Sequence, residues 1–423
     1  MVGRKLIAKV KGSKEGKVLL SNFAYLSVLQ IAGYVFPLLT LPYLARVIGA
    51  SGFGKIAFAS AIMVWIQTVT DWGFNYTATR DVARCRDDKQ RVSEIFSNVF
   101  WARCLLMVLS FVVLAVLVFT IPKLRAEADV IFVSFLMIPG HILFPDWFFQ
   151  AIERMKYITI LNLLSKTLFT IAVFVFVREA NDYILQPLFV SLGFVVSGII
   201  AMYFILWKWH IVLKRPVAHA VCRTIRSSTD VFINNIVPNF YNAFSVLLLG
   251  FVAGSTANGI LDAGKKFLNV GSQFISVISR TFYPYLSRRS DQHGLYAKVN
   301  FSIAFILSLC LFVGAPLLIQ LFFTAEFKEA VVVLRITSVS LLFESLKNVY
   351  GINFMLLQGY EKQMRNIMIV CALIGFCLSF PLIHNYSYIG AALVYTLTLG
   401  LMGMASLLFV RFKIKAHECT DRR

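Results

Sequence analysis

The sequence contains no His-Glu-x-x-His run, no pair of cysteines at metal-binding spacing and only six histidines. It therefore implies neither a metal centre nor any other bound cofactor. No Ser, His and Asp set offers itself as a hydrolytic triad, which removes the commonest sequence grounds for an enzyme. One near-miss occurs at 259–266, GILDAGKK, which fills G-x-x-x-x-G-K but places Lys266 where the nucleotide-binding loop needs a Ser or Thr hydroxyl for its metal ion. Acid is scarce as well, with 21 Asp and Glu against 41 Lys and Arg and a net charge of +20. The seven cysteines fall in apolar runs or, at Cys85, Cys222 and Cys419, on the side read below as cytoplasmic, so no disulfide is expected.

Against these absences stands a large apolar content. Hydrophobic residues make up 58% of the chain and charged ones only 15%, with a mean hydropathy of +0.75. Such a chain of 423 residues is an integral membrane protein. Apolar runs of roughly 20 residues, enough to cross ~30 Å of hydrocarbon, recur along it about twelve times. The spans read from the sequence are 19–45, 54–79, 95–120, 130–151, 157–177, 184–207, 231–253, 257–286, 299–323, 329–357, 366–384 and 387–410. All are helices, because lipid offers the backbone no other way to pair its polar groups along one segment. The expected fold class is thus all-α integral membrane, with about twelve transmembrane helices in two six-helix lobes around a central cavity.

The basic N-terminus (Arg4, Lys5, Lys9, Lys11, Lys14, Lys17) precedes an apolar segment too long for a signal peptide's core, so it is expected to be a retained first span. Lys and Arg also concentrate at Arg80 to Arg91, at Lys208 to Arg226, at Arg288, Arg289 and Lys298, and in the C-terminal tail, while alternate loops carry almost none. Both termini are therefore expected in the cytoplasm. This alternation accounts for the net positive charge without a nucleic-acid partner.

The chain reads as two similar halves. The expected division is 1–210 for the first lobe, 211–230 for a cytoplasmic linker and 231–423 for the second lobe. Shifting the first half by 205 residues lays Gly49 on Gly254 and Gly54 on Gly259, aligning two interhelical turns. The same shift lays Gln30, Tyr34 and Pro37 on Asn235, Asn239 and Asn242, polar or helix-breaking positions on one face of each half's opening helix. Six spans per half make the halves parallel repeats about an axis along the membrane normal.

Spacing answers the question raised by GILDAGKK. Asp262, Lys266, Asn269, Gln273, Ser276 and Arg280 follow one another at intervals of 4, 3, 4, 3 and 4, which at ~100° per residue keeps them within about 40° of one line. Lys265 lies at the edge of that stripe, and Leu261, Phe267, Leu268, Phe274, Ile275 and Ile278 occupy the opposite side. The segment is therefore a transmembrane helix with one wet face. The second span repeats the theme more weakly with Ser60, Gln67, Asp71 and Asn75. Arg103, Asp146, Lys166, Arg335, Glu344 and Lys347 are further ionisable groups within apolar runs, each costing roughly 2.5–3.5 kcal/mol at a helix centre unless water or a partner meets it.

Plain alternatives apply to several of these. Asp146 beside Trp147 also reads as interfacial, Arg46 and Arg280 as snorkelling to headgroups, Glu344 as paired with Lys347 one turn away, and Pro37, Pro42, Pro238, Pro284 and Pro316 as simple kinks. Lys265 and Lys266 are harder to dismiss, since only Asp262 lies near to compensate two adjacent ammonium groups. The surplus suits an anionic ligand. With no ATP chemistry, a transporter of this kind draws on an ion gradient or on removal of its product, and Asp71, Asp146, Asp262 and Glu344 are the candidate H+ or Na+ carriers.

Four stretches carry a resemblance: PLLTLPYLARVIGASGFGKIAFASA (37–61), DWGFNYTATRDVAR (71–84), FPDWFFQAIERMKYIT (144–159) and GILDAGKKFLNVGSQFISVISRTFYPYLSRR (259–289). They resemble the O-antigen and capsule flippases, the Wzx type within the multidrug/oligosaccharidyl-lipid/polysaccharide exporter superfamily, over nearly the whole chain. The resemblance implies a bacterial inner-membrane flippase, not an enzyme. It would move an undecaprenyl-pyrophosphate-linked oligosaccharide from the cytoplasmic to the periplasmic leaflet by alternating access, in the company of membrane lipids and polysaccharide assembly proteins. Family members often place an acidic residue and then Lys at these positions, so Lys266 matches and Lys265 departs, leaving this corner more cationic than usual. Arg46, Asp71, Arg80 and Asp146 also sit where the family's motifs place them.

The expected substrate contacts for pyrophosphate and glycan are Lys265, Lys266, Arg46, Arg80, Asn235, Asn239, Asn242, Asn269 and Gln273. A drug or cation antiporter of the same superfamily would need a carboxylate-dominated pocket, the opposite of this surplus. A membrane polysaccharide polymerase or ligase would need a sizeable external loop, and every external connection here is short.

Overall fold

The computed structural model describes residues 14–287 and 289–420. The basic residues Arg4, Lys5, Lys9, Lys11 and Arg288 used above for orientation lie outside them. Among the described residues every regular element is helical and no strand occurs. Eight helical stretches among them are long and apolar enough to cross a bilayer. Two of these, Ser27–Arg84 with 58 residues and Glu361–Phe412 with 52, are each long enough for two spans at 1.5 Å per residue. Both are broken near the middle, at Gly49 (φ 62°) and at Ser387 (φ 50°). The helix Ser255–Leu286 and the helical run from Ala330 to Leu356 bring the count to twelve. Hydropathy passes over these last two for a physical reason: one carries the polar stripe and the other Arg335, Glu344 and Lys347.

The two turns aligned by the repeat share a backbone conformation. Gly49 has φ 62° and ψ −176°, and Gly254 has φ 84° and ψ −176°, a region that only glycine enters without strain. The turns also pack on one another. A Cβ on Gly54 would overlap the carbonyl of Ser255, and one on Gly259 would overlap the carbonyl of Ala50. The Ser51 and Ser255 hydroxyls lie 3.2 Å apart, and the Glu326 carboxylate accepts from the Ala50 N–H at 2.9 Å, satisfying a donor freed by the break.

This crossing has a consequence for organisation. The chain forms two compact units, one of Met1–Tyr43 with Met63–Ile236, the other of Leu44–Ile62 with Val237–Arg423. The grouping differs from the sequence-based division in two places. Residues 44–62 join the second unit because Gly54 lets their backbone meet Ser255 and Gly259. Residues 211–236 join the first unit, and 218–236 of them form a helix rather than a linker. That helix is held by the Trp72 ring stacked on Phe232 at 3.9 Å, by Gly73 (φ 80°) tight against Val231, and by the Thr77 and Ser228 hydroxyls 2.7 Å apart.

Prolines act unequally. Pro37, Pro42 and Pro316 sit inside continuous helices, whereas Pro238 opens into a 3-10 turn, Val237–Phe240, before the helix Ala243–Ala253. The first unit is centred on aromatic side chains, with Phe74, Phe96, Trp147, Phe148 and Phe149 almost fully buried. Most of the FPDWFFQ stretch therefore serves as core.

Gly54→Val and Gly259→Ala force carbon into backbone, an overpacking that costs about 1–3 kcal/mol. Each is expected to lower the melting temperature of the detergent-solubilised protein, while Gly294→Ala, where an added Cβ meets nothing within 4 Å, leaves it unchanged. Thermal unfolding followed by size exclusion checks the comparison.

Candidate functional site

In the second unit the polar stripe of Ser255–Leu286 is open on its wet side and packed on the other. Leu268 and Ile275 are buried against Ala304 and Leu341, and Leu261 and Phe267 are buried as well, while Phe274 is exposed. On the wet side, Lys266 Nζ pairs with Asp262 Oδ2 at 2.8 Å, an i,i+4 contact that both side chains make while about one-third exposed. Among the described residues Lys265 takes no carboxylate. Its Nζ donates to Asn242 Oδ1 at 2.6 Å and lies 4.4 Å from the centroid of the Tyr395 ring. An amide dipole and a ring face hold an ammonium in place without cancelling its charge.

Asn242 reaches Lys265 because the helix stops at the Pro238 turn, which leaves residues 241–242 between helices. Tyr395 faces Tyr241 with ring centroids 6.4 Å apart, and Glu344 is close enough to act electrostatically on both. Glu344 is buried, and its carboxylate accepts from the Ser272 hydroxyl about two turns beyond Lys265 and Lys266 on the same helix. No ion pair joins Glu344 to Lys347 among the described residues. Asn269 and Gln273 continue the open stripe, Asn269 exposed and Gln273 half-buried.

The first unit carries a second polar cluster. Arg103, only 4% exposed, pairs through Nη2 with Asp71 Oδ1. Its Nε and Nη1 are buried without a hydrogen bond. Asp146 and His141 lie within electrostatic reach of both members of that pair. Asp146 accepts from the Trp147 N–H at 2.8 Å, which holds the carboxylate at the start of the Asp146–Ala151 helix beside a buried indole. Asp146 forms no ion pair among the described residues. The arrangement places two carboxyl groups and one guanidinium in a protein interior.

The remaining expected site residues are scattered. Arg80 is exposed and paired with Asp81 at 2.9 Å, and Arg46 is exposed in the 44–62 stretch. Asn235 is exposed on the helix that belongs to the first unit, and Asn239 is buried in the Pro238 turn. Arg335 lies against the Phe312 ring at 5.5 Å. Tyr395, Tyr241, Ser272 and His141 were not singled out from sequence. Each is an ordinary member of an apolar run, and only the fold sets it beside a charge.

Solved structures share this architecture. Lipid II flippase MurJ in an inward closed conformation overlays with a TM-score of 0.73 at 12% identity, covering 91% of this chain and 87% of that one. An inward-facing multidrug resistance MATE family transporter of the MOP superfamily gives 0.65 at 13% identity, covering 94% and 99%. The chain shares the fold of these two solved structures. In sequence, an Escherichia coli (strain K12) protein provisionally named an O-antigen transporter is 31% identical over 398 residues, 92% of this chain and 96% of that one. A Shigella dysenteriae protein of the same provisional name is 23% identical over 407 residues, 93% and 99% respectively. A model of the polysaccharide biosynthesis protein family matches residues 19–290. The chain belongs to the polysaccharide biosynthesis protein family.

Removing one partner of a buried ion pair leaves an uncompensated charge and costs about 3–5 kcal/mol. Arg103→Leu is expected to lower the melting temperature sharply, and Asp71→Asn in the same molecule to restore most of the loss, because the stranded carboxylate is then neutral. A double-mutant cycle that found the two effects simply additive would show the pair to be uncoupled.

Proposed function

We propose that this protein is a flippase for an undecaprenyl-pyrophosphate-linked oligosaccharide, the repeat unit of an O-antigen or related polysaccharide. It carries the glycan from the cytoplasmic to the periplasmic leaflet of the bacterial inner membrane by alternating access, with both termini in the cytoplasm, and it catalyses no covalent step. The observation that supports this most directly is Lys265, an ammonium within a membrane helix held by Asn242 and Tyr395 and neutralised by neither. With Lys266 beside it and the open polar stripe running on through Asn269 and Gln273, the corner offers charge to a diphosphate and hydrogen bonds to a sugar. The relatives named for O-antigen transport agree with this chemistry.

Coupling to an H+ or Na+ gradient is part of the same reading. Asp71 and Asp262 already hold cationic partners, whereas among the described residues Asp146 and Glu344 are hydrogen-bonded by neutral donors. These last two are the stronger candidates for a mobile cation, with Asp71 positioned to respond through Arg103. A drug or cation antiporter has less support, because the stripe's surplus charge is positive.

Losing one charge-assisted contact to phosphate removes about 1.5–3 kcal/mol, so Lys265→Ala is expected to cut transport at limiting substrate about tenfold or more. Lys265→Ala with Lys266→Ala is expected to abolish it while the protein stays in the membrane. The measurement is inversion of the lipid-linked oligosaccharide in proteoliposomes, with and without a pH gradient. Normal inversion by the double variant would remove the Lys pair from the binding site, and unchanged gradient dependence in Asp146→Asn and Glu344→Gln would remove those carboxylates from coupling.

A further inference from the structure

The connection between Lys208 and Ala218 is an extended strap fixed to one face of the helix Lys89–Thr120. The Val212 N–H donates to Ser93 Oγ at 3.1 Å, the Lys214 N–H donates to Ser97 Oγ at 2.8 Å, and the Ser97 hydroxyl also lies 3.2 Å from the Val212 carbonyl. One turn further along, the Trp101 indole N–H donates to the Lys214 carbonyl at 2.9 Å. Ser93, Ser97 and Trp101 are spaced by four, so they form one stripe that docks the strap residue by residue.

At Pro216 the strap leaves the stripe, which continues uncovered through Cys104, Leu105 and Val108. The far wall is Val221 and Cys222, on the helix Ala218–Ile236. The result is an apolar groove of about 470 Å³, within the ~300–1,000 Å³ range of small-molecule sites. The chain that borders it is strongly basic. Residues 208–226 include Lys208, Lys214, Arg215, Arg223 and Arg226 and no acidic residue, and Lys214, Arg215 and Arg223, which flank the lining residues Pro216 and Cys222 in sequence, are exposed.

An apolar slot along a spanning helix, with cations at its end, matches an elongated hydrocarbon chain that ends in phosphate. The positive-inside pattern puts that end at the cytoplasmic surface, where a substrate still to be moved would lie. We infer that this groove holds the polyprenyl chain of the lipid carrier, with its phosphate at Lys214, Arg215 and Arg223, so that the tail is gripped by the first unit while the glycan is handed on. The inference rests on the flippase reading and adds to it a second, separate contact for the substrate.

The two walls each carry a thiol, which makes occupancy measurable in the full-length protein. Cys104 is half-buried and Cys222 exposed, while Cys310 and Cys377 are exposed on other helices and serve as internal references. Maleimide labelling of each cysteine, read by mass spectrometry, would be followed with undecaprenyl phosphate or phosphatidylglycerol added at equal concentration. The expected result is labelling of Cys222 slowed about tenfold by undecaprenyl phosphate, as when the groove stands open about one-tenth of the time, with the references unchanged and phosphatidylglycerol having little effect. No slowing, or equal slowing by both lipids, would overturn the assignment.

Val108→Trp fills the slot from a position 54% exposed, where the core is undisturbed. It is expected to abolish the difference between the two lipids and to reduce inversion of the lipid-linked oligosaccharide. Wild-type protein that inverts the substrate but shows no protection of Cys222 would sink the groove alone. Protection without inversion would sink the flippase reading and leave the groove standing.

Discussion

Hydrocarbon offers no partner to a polar group, and every feature of this chain follows from that. Backbone groups must pair within their own segment, so each crossing is a helix, and side chains that keep a charge must find one another or water. The protein meets the second demand in two ways. Asp71 with Arg103 and Asp262 with Lys266 are closed pairs, whereas Lys265 is held only by a dipole and a ring. A closed pair lowers the cost of burial and leaves little charge to offer a ligand. Lys265 does the reverse: its retention in a membrane helix costs free energy that a bound anion would offset. The same logic separates Asp146 and Glu344 from the paired carboxylates.

How far the sequence was legible depended on the range over which each force acts. Helix number was legible because apolar content shows over the whole length of a span, even in the two where charged and polar residues lower the hydropathy, and the Asp262–Lys266 pair was legible because both residues sit on one helix four apart. The glycines of the repeat were legible too, since Gly49 and Gly254 turn out to share the same left-handed turn. Arg103 with Asp71, Lys265 with Tyr395 and Ser272 with Glu344 were not, because each joins helices whose register only packing sets. Asn242 marks the boundary between the two cases. Its polarity was visible in the sequence, but its reach to Lys265 depends on the helix ending at Pro238, whereas the helices continue through Pro37 and Pro316.

Division of the chain into units was the least legible feature, and the reason is local. Segment 44–62 carries hydropathy like that of its sequence neighbours, and 211–236 is more polar than the helices on either side of it, so composition ties neither segment to its unit. What assigns them is contact at single small residues. Gly54 and Gly259 permit one backbone to touch another, and Gly73 lets Trp72 lie flat on Phe232. A side chain at any of these would separate the helices by more than a van der Waals radius, and the segment would lose its place.

The strap along Ser93, Ser97 and Trp101 shows the same economy applied to a loop. Extended chain near a membrane exposes peptide groups that need partners, and here the partners are two hydroxyls and a carbonyl–indole contact at successive turns of one helix. Since Pro216 has no N–H to donate, the ladder ends there without leaving an orphan donor. The helix face beyond it needs no hydrogen bonds, only apolar cover. Hydrogen-bonding chain on the first half of a stripe and bare hydrocarbon surface on the second is the arrangement expected where a protein segment gives way to a lipid one.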